Sequence, residues 1–536
     1  MAKLALALVA ASALTAISLG RPALGESTSE KLGAVHFPIS CTKVQPEFDR
    51  AVALLHNFFF PETVKAFKAV ITKDPSCAIA YWGLAMSQRP NPLVPPFPPA
   101  NLKAGWEAVQ QGNAATTKSP REVEYLSAME VFYRDFDKID QGTRTRLYEQ
   151  AMQRLHEHFP DDREAAIFYA LALNEAVDLN DKNFTKQLKA AAILNTEAQK
   201  QPNHPGIAHY LIHSYDFAPL AALCLPTAHL YDKIAATAPH ALHMPSHIYS
   251  MLGMWEDSVR SNLAAEAAAN DYAAKNFPEA TDPSIPHLLD FRASAYLQMA
   301  KDSDAKQIVD SLPKLKKFAS VRLAVDTALA AIPARFALDR GHWEEAAQLS
   351  VRDTEHPAAL SISYFARALG AARSGQLTAV RAEIVHLEEV EAKLSAAKDE
   401  YWAGQTRIQK QAAAAWLAFV EGRRDEAIAA MRQAADLDDA SEKNVAMENK
   451  LVPVRALLGE LYLAAGMRRE ALSEFEASLK STPNRFRSIA GAAAAARAIG
   501  SSEVARRYYR ALTGLAVDGD GQRTELVEAK AYLSQN

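Results

Sequence analysis

Two short stretches carry the same histidine pattern. PGIAHYLIHSYD (205–216) and PHALHMPSHIYS (239–250) share Pro205 with Pro239, His209 with His243, His213 with His247 and Tyr215 with Tyr249, each at an offset of 34. Histidines four apart lie on one face of one helix. Imidazole is a ligand for zinc, copper, iron and nickel. An i, i+4 pair can clasp one ion, and two such pairs facing each other complete a tetrahedral shell. Three imidazoles and a carboxylate with one open position would suit chemistry on a bound water. A polar groove that contacts a peptide, or plain structural hydrogen bonding, would also use histidine. With only 15 His in 536 residues, four of them in two matched pairs make metal binding the sharper expectation.

Other chemistries lack their signatures. The chain has no H-E-x-x-H, P-loop, G-x-G-x-x-G or G-x-S-x-G, and its three cysteines form no Cys-x-x-Cys. A net charge of −4 without a basic run argues against nucleic acid. The start, MAKLALALVAASALTAISLGRPALGES, has a basic Lys3, an apolar run from Leu4 to Leu19 and small residues around Ala23-Leu24-Gly25. It reads as a signal peptide over 1–25, and hence as an exported, periplasmic or secreted protein without a later membrane span.

Elements to hold these residues are helical nearly throughout, with apolar positions at helical spacing and short breaks such as DPS (74–76) and EGRRD (421–425). RPNPLVPPFPPAN (89–101) reads as an extended proline-rich loop, and 270–286 as a second long connection. The clearest unit is VPVRALLGELYLAAGMRREALSEFEASLKSTPNR (452–485). Leu458-Gly459 and Tyr462 lie on its first helix, Ala471 and Phe475 on its second, and Pro483 ends it. The small Gly459 and Ala471 allow close approach of two helices, and the two aromatics fill the space around the contact.

These residues resemble the tetratricopeptide repeat family, although Arg455 stands where the pattern has Trp. The match is good again at 410–440 (Gly422, Ala427, Met431) and at 48–86 (Phe67, Pro75, Gly83). Between them the repeats are degenerate. The resemblance implies an all-α, right-handed α-solenoid of stacked helical hairpins, because one unit cannot bury its own apolar face. The expected organisation is an N-terminal degenerate array with a histidine-lined groove over 26–305 and a plainer C-terminal array over 306–536.

The offset of 34 is then one repeat, and the family's concave first helices would bring both histidine pairs into one groove. PHLLDFRASAY (286–296) continues the register and puts Asp290 in the column of His209 and His243. The expected metal ligands are therefore His209, His213, His243, His247 and Asp290, for Zn, Cu or Fe. His56, His240, His287, Tyr215 and Tyr249 are additional groove residues, and Asp216, Tyr215 and Tyr249 could fix the ring tautomers. By the resemblance, the expected partner is a protein or peptide in the concave groove. The alternative is a metalloenzyme or metal carrier with the paired histidines as its working centre. If the helices stack in this way, Cys41 and Cys77 come close enough for a disulfide, and Cys224 is a buried apolar residue.

Overall fold

The computed structural model describes residues 30–535 apart from 316, 319 and 521; the expected signal peptide lies outside the described residues. Residues 31–536 gather into one unit. Among the described residues the regular structure is helical, and strand-like pairing is limited to isolated bridges at Cys77–Thr117 and Thr281–Phe318. Consecutive helices pack as hairpins and successive hairpins stack, giving an all-α solenoid.

The motif residues explain the hairpins. In 452–485 the helices Val454–Ala464 and Arg468–Ser481 meet at Gly459, where a Cβ would come within 2.9 Å of the Phe475 ring. Any larger residue would push the helices apart, which is why this position calls for glycine. Ala471, Phe475 and Tyr462 are buried around that contact, as are Ala427 and Met431 in the preceding unit. Cys41 and Cys77 are joined in a disulfide with Cα atoms 5.5 Å apart, and Cys224 is a buried free thiol.

Two loop expectations need correction. The proline-rich segment ends earlier than 101, because Pro99 opens the helix Pro99–Ala114. Proline suits a first helical position, where its missing N–H is not needed. The second connection is shorter at its start, because the helix Trp255–Asn276 runs on through NDYAAKN.

The array curls back on itself. The Trp255 indole donates to the Asn484 carbonyl (2.9 Å), Asn484 Nδ2 to the Gly253 carbonyl (3.2 Å), and the Phe486 amide to Gln298 Oε1 (3.0 Å). The irregular segment 440–453 is drawn inward in the same way. The Glu442 amide donates to the Leu179 carbonyl, Lys443 Nζ to Asp216 and Ser294 Oγ to Glu448, while Arg335 Nη2 donates to the Asn449 carbonyl. Through Lys443 and Asp216 this segment reaches the elements that carry the histidines.

Candidate metal centre

The sequence brings the histidines together through its helix starts and stops. His209 and His213 lie on the helix Pro205–Tyr215, which begins at a proline. The second pair does not lie on one unbroken helix. Pro245, which lacks an amide proton, divides the stretch into Pro239–His243 and Pro245–Met251. Met244 between them keeps helical angles (φ −53°, ψ −36°), so His243 and His247 still face each other.

The third stretch, PHLLDFRASAY, lies on the helix Ile285–Gln298. It supplies His287, not Asp290. Asp290 is buried and accepts from Arg335 Nε at 2.9 Å, with Glu448 on the same guanidinium. Burial pushes the Asp290 carboxyl up to about 6, against the pull of Arg335. Its repeat column is as expected, but its charge is committed to Arg335, away from the imidazoles.

Six imidazoles converge in two groups of three. The first is His209, His213 and His240; the second is His243, His247 and His287. Within the first, Nε2 of His209 is 3.0 Å from Nε2 of His213 and 3.1 Å from Nε2 of His240. Within the second, Nε2 of His243 is 3.0 Å from Nε2 of His247. The triads are neighbours: the His213 and His247 ring centres are 6.3 Å apart, and those of His240 and His243 are 6.0 Å apart. The two expected pairs thus fall into two neighbouring groups of three histidines.

The far nitrogens of three of these rings fix their protonation. His209 Nδ1 is 2.6 Å from the carbonyl of His56, His243 Nδ1 is 2.6 Å from Asn262 Oδ1, and His247 Nδ1 is 2.8 Å from Asp216 Oδ2. The Asn262 amide nitrogen is used on the Ser258 carbonyl, so its oxygen faces His243. Each partner only accepts, so each Nδ1 carries the proton and donates. In the neutral ring the Nε2 atom is then a bare lone pair. Burial, reinforced by neighbouring imidazoles, lowers His209, His213, His240, His247 and His287 well below the usual histidine value; burial also takes His243 down to about 4. His243 and His247 thus point two Nε2 lone pairs toward one another across 3.0 Å.

Each triad has a phenylalanine wall. Phe58 lies 4.4 Å from the His209 ring and stacks on His240 at 5.5 Å, centre to centre. Phe291 is 4.9, 4.8 and 5.0 Å from His243, His247 and His287. Phe58 has a left-handed φ of 51°, unusual for a bulky side chain. It closes the helix Gln45–His56 with the pair Phe58 N to Leu55 O and Phe59 N to Leu54 O, a C-terminal motif usually built on glycine. The close leaves the His56 carbonyl free for His209.

His56 itself belongs to a third buried group. Its Nε2 is 3.0 Å from Glu164 and its Nδ1 2.9 Å from the Tyr210 hydroxyl, while His204 Nε2 is 2.9 Å from the other Glu164 oxygen. Burial opposes ionisation of Glu164, yet the two imidazoles hold its carboxyl down at about 2. Gly206 permits this packing, since a Cβ there would sit 2.3 Å from His56 Nδ1. Glu164 and His204 escape a repeat-based reading: the residue 34 places after His204 is Ala238, so no pattern marks it.

Tyr215 and Tyr249 face other neighbours. The Tyr215 hydroxyl meets Asn195, and the Tyr249 ring lies beside His229. Asp216, by contrast, bridges His247 and Lys443 through one oxygen, Oδ2 (2.8 and 2.7 Å).

No protein-family model and no curated protein matches the chain. Among solved structures, one described as Naa15/Naa10 bound to HypK-THB aligns over 92% of this chain and 74% of its own, at 13% identity and a TM-score of 0.21.

Proposed function

We propose that this chain is a metalloprotein whose α-solenoid encloses a pair of transition-metal ions, one in each histidine triad. The observation that carries the proposal is the His243–His247 contact, in which two Nε2 lone pairs converge while both Nδ1 protons are committed to Asn262 and Asp216. A metal ion between them turns a repulsion into two bonds. Three imidazoles leave an open coordination position, the form taken by working metal centres, whereas structural sites are closed. The outer partners on His209, His243 and His247 give the support that metal-bound imidazoles ordinarily have.

A peptide guest lying on the histidines has less support, because segment 440–453 already lies there, with Lys443 beside the second triad. Export is part of the proposal. The Cys41–Cys77 disulfide fits an oxidising compartment.

The test is elemental analysis of the mature protein, purified without a histidine tag, beside the His209→Ala/His243→Ala double variant. The expected result is about two equivalents of one transition metal in the wild type and a loss of most of it in the variant. A folded wild type that carries no metal and takes none up tightly would overturn the reading.

A further inference from the structure

The geometry points to copper as the metal and to dioxygen as the molecule that binds between the two ions. This rests on the metal-centre reading above and names the ligand of that site.

Charge is the first argument. The six converging groups are uncharged imidazoles, and the nearby carboxylates are committed elsewhere. Asp216 pairs with Lys443 at 2.7 Å, Asp290 and Glu448 share Arg335 at 2.9 and 3.4 Å, and Glu164 is taken by His56 and His204. Two divalent ions would therefore bring four positive charges onto six uncharged donors in a buried site. Burying uncompensated charge is costly, so the donor set favours the ion of lowest charge. Among imidazole-binding metals, copper has a stable monovalent state, and its divalent state heads the affinity order for nitrogen donors.

Placement is the second argument. Cu(I) is satisfied by three nitrogen donors, and each triad supplies three. The triads adjoin along His213–His247 and His240–His243, with ring centres 6.3 and 6.0 Å apart, so two ions so held share the space between them. Phe58 lies against the first triad and Phe291 against the second. The nearest cationic side chain, Lys443, is spent on Asp216. Such a space suits a small, uncharged molecule that takes electrons from both ions. Dioxygen has that chemistry: each Cu(I) gives up one electron, the O–O double bond becomes the single bond of a bridging peroxide, and two Cu–O links form. No proton moves and nothing leaves.

The experiment uses the full mature chain with its disulfide intact, loaded anaerobically with Cu(I) and then exposed to dioxygen. Copper content, oxygen uptake and electron paramagnetic resonance are read on the same sample. The expected result is about two Cu(I) bound per chain, as two three-ligand sites require. One dioxygen should be consumed per copper pair, with a new peroxide-to-copper absorption band and no paramagnetic signal, because the two Cu(II) spins couple through the bridge. Two coppers bound with no oxygen uptake, or with the full signal of isolated Cu(II), would overturn the inference and leave the metal centre standing. Preferential retention of Zn²⁺ over copper in a competition would do the same. No metal of any kind would remove both.

His240→Ala and His287→Ala serve as variants, since these two are the only partly exposed members of their triads. Each should bind about one copper and lose both the uptake of one dioxygen per copper pair and the peroxide-to-copper band, and its copper, once oxidised by an added one-electron oxidant, should give the full paramagnetic signal of isolated Cu(II). Far-UV ellipticity and melting temperature check the fold. If a folded variant retains wild-type oxygen uptake, the pair of triads is not the site.

Discussion

The carbonyl of His56, the last residue of its helix, accepts the Nδ1 proton of His209 at 2.6 Å, across 153 positions of sequence. Carbonyls in the last turn of a helix lack partners within it. Here one such carbonyl sets the tautomer of a histidine in the first triad, and His56 is in turn held by Glu164 and Tyr210. The third buried group is thus a mount for the first triad.

Replacing that mount should cost stability. Glu164→Ala would leave two buried imidazoles without their shared acceptor, a loss of about 3 kcal/mol or more by the usual cost of breaking a buried charged network. Urea unfolding of the metal-free protein measures it, and a change under about 0.5 kcal/mol would contradict the role assigned to Glu164.

The same residue gives a pH signature. Its carboxyl falls from an ordinary 4.5 to about 2 in the fold. A carboxyl depressed in the folded state contributes its stability above the unfolded value and loses it as pH falls through the folded one. The wild type should therefore lose roughly 3 kcal/mol more than Glu164→Gln between about pH 5 and pH 2, on the standard conversion of a pKa difference. Denaturation of both proteins across that range checks the difference.

At milder acidity the histidines dominate. Below about pH 6.5 the unfolded chain protonates its imidazoles, while the folded triads resist, with His243 held to about 4. The unfolded state then binds more protons, so the metal-free fold weakens as pH drops from about 6.5 toward 4. Bound metal should persist through most of this window and be released near its acid end, because loss requires protonating the buried rings. Metal release followed by a chromogenic chelator should show this; complete release by pH 6 would contradict it.

Asp216 fixes His247 through Nδ1 and anchors Lys443. Asp216→Asn should weaken metal binding by about 10- to 100-fold, the usual effect of removing an outer partner of a ligating histidine. Competition with a chelator of known affinity measures the change. Lys443→Met, which loosens segment 440–453 without touching a histidine, should speed stripping of metal by chelator and leave the metal content at equilibrium close to wild type.

Reduction of Cys41–Cys77, which closes a loop of 36 positions, should lower stability by about 3–4 kcal/mol. Melting with and without reductant tests this.

Local rules made much of this legible. Gly459, Ala471 and Phe475 announce a helical hairpin because a close helix crossing needs a small residue beside a large one. His209/His213 and His243/His247 announce a shared site because histidine is scarce and their spacing is helical. The third member of each triad was harder to read, since His240 and His287 follow prolines at helix starts and fall outside the repeated pair. Pro245 hid a break that periodicity does not register. Asp290 sits in the anticipated column but meets Arg335, a partner 45 positions away. The return of 440–453 onto the histidines, through Lys443–Asp216 and Arg335–Asn449, is a long-range closure that no local pattern encodes.

The most direct measurement of the central claim is X-ray absorption at the edge of the metal bound to the purified protein. The account predicts a shell of about three nitrogen neighbours per ion with the outer scattering of imidazole rings, and loss of that pattern in His213→Ala/His247→Ala. A shell dominated by oxygen or sulfur without ring scattering, or a folded protein with no metal at all, would contradict it.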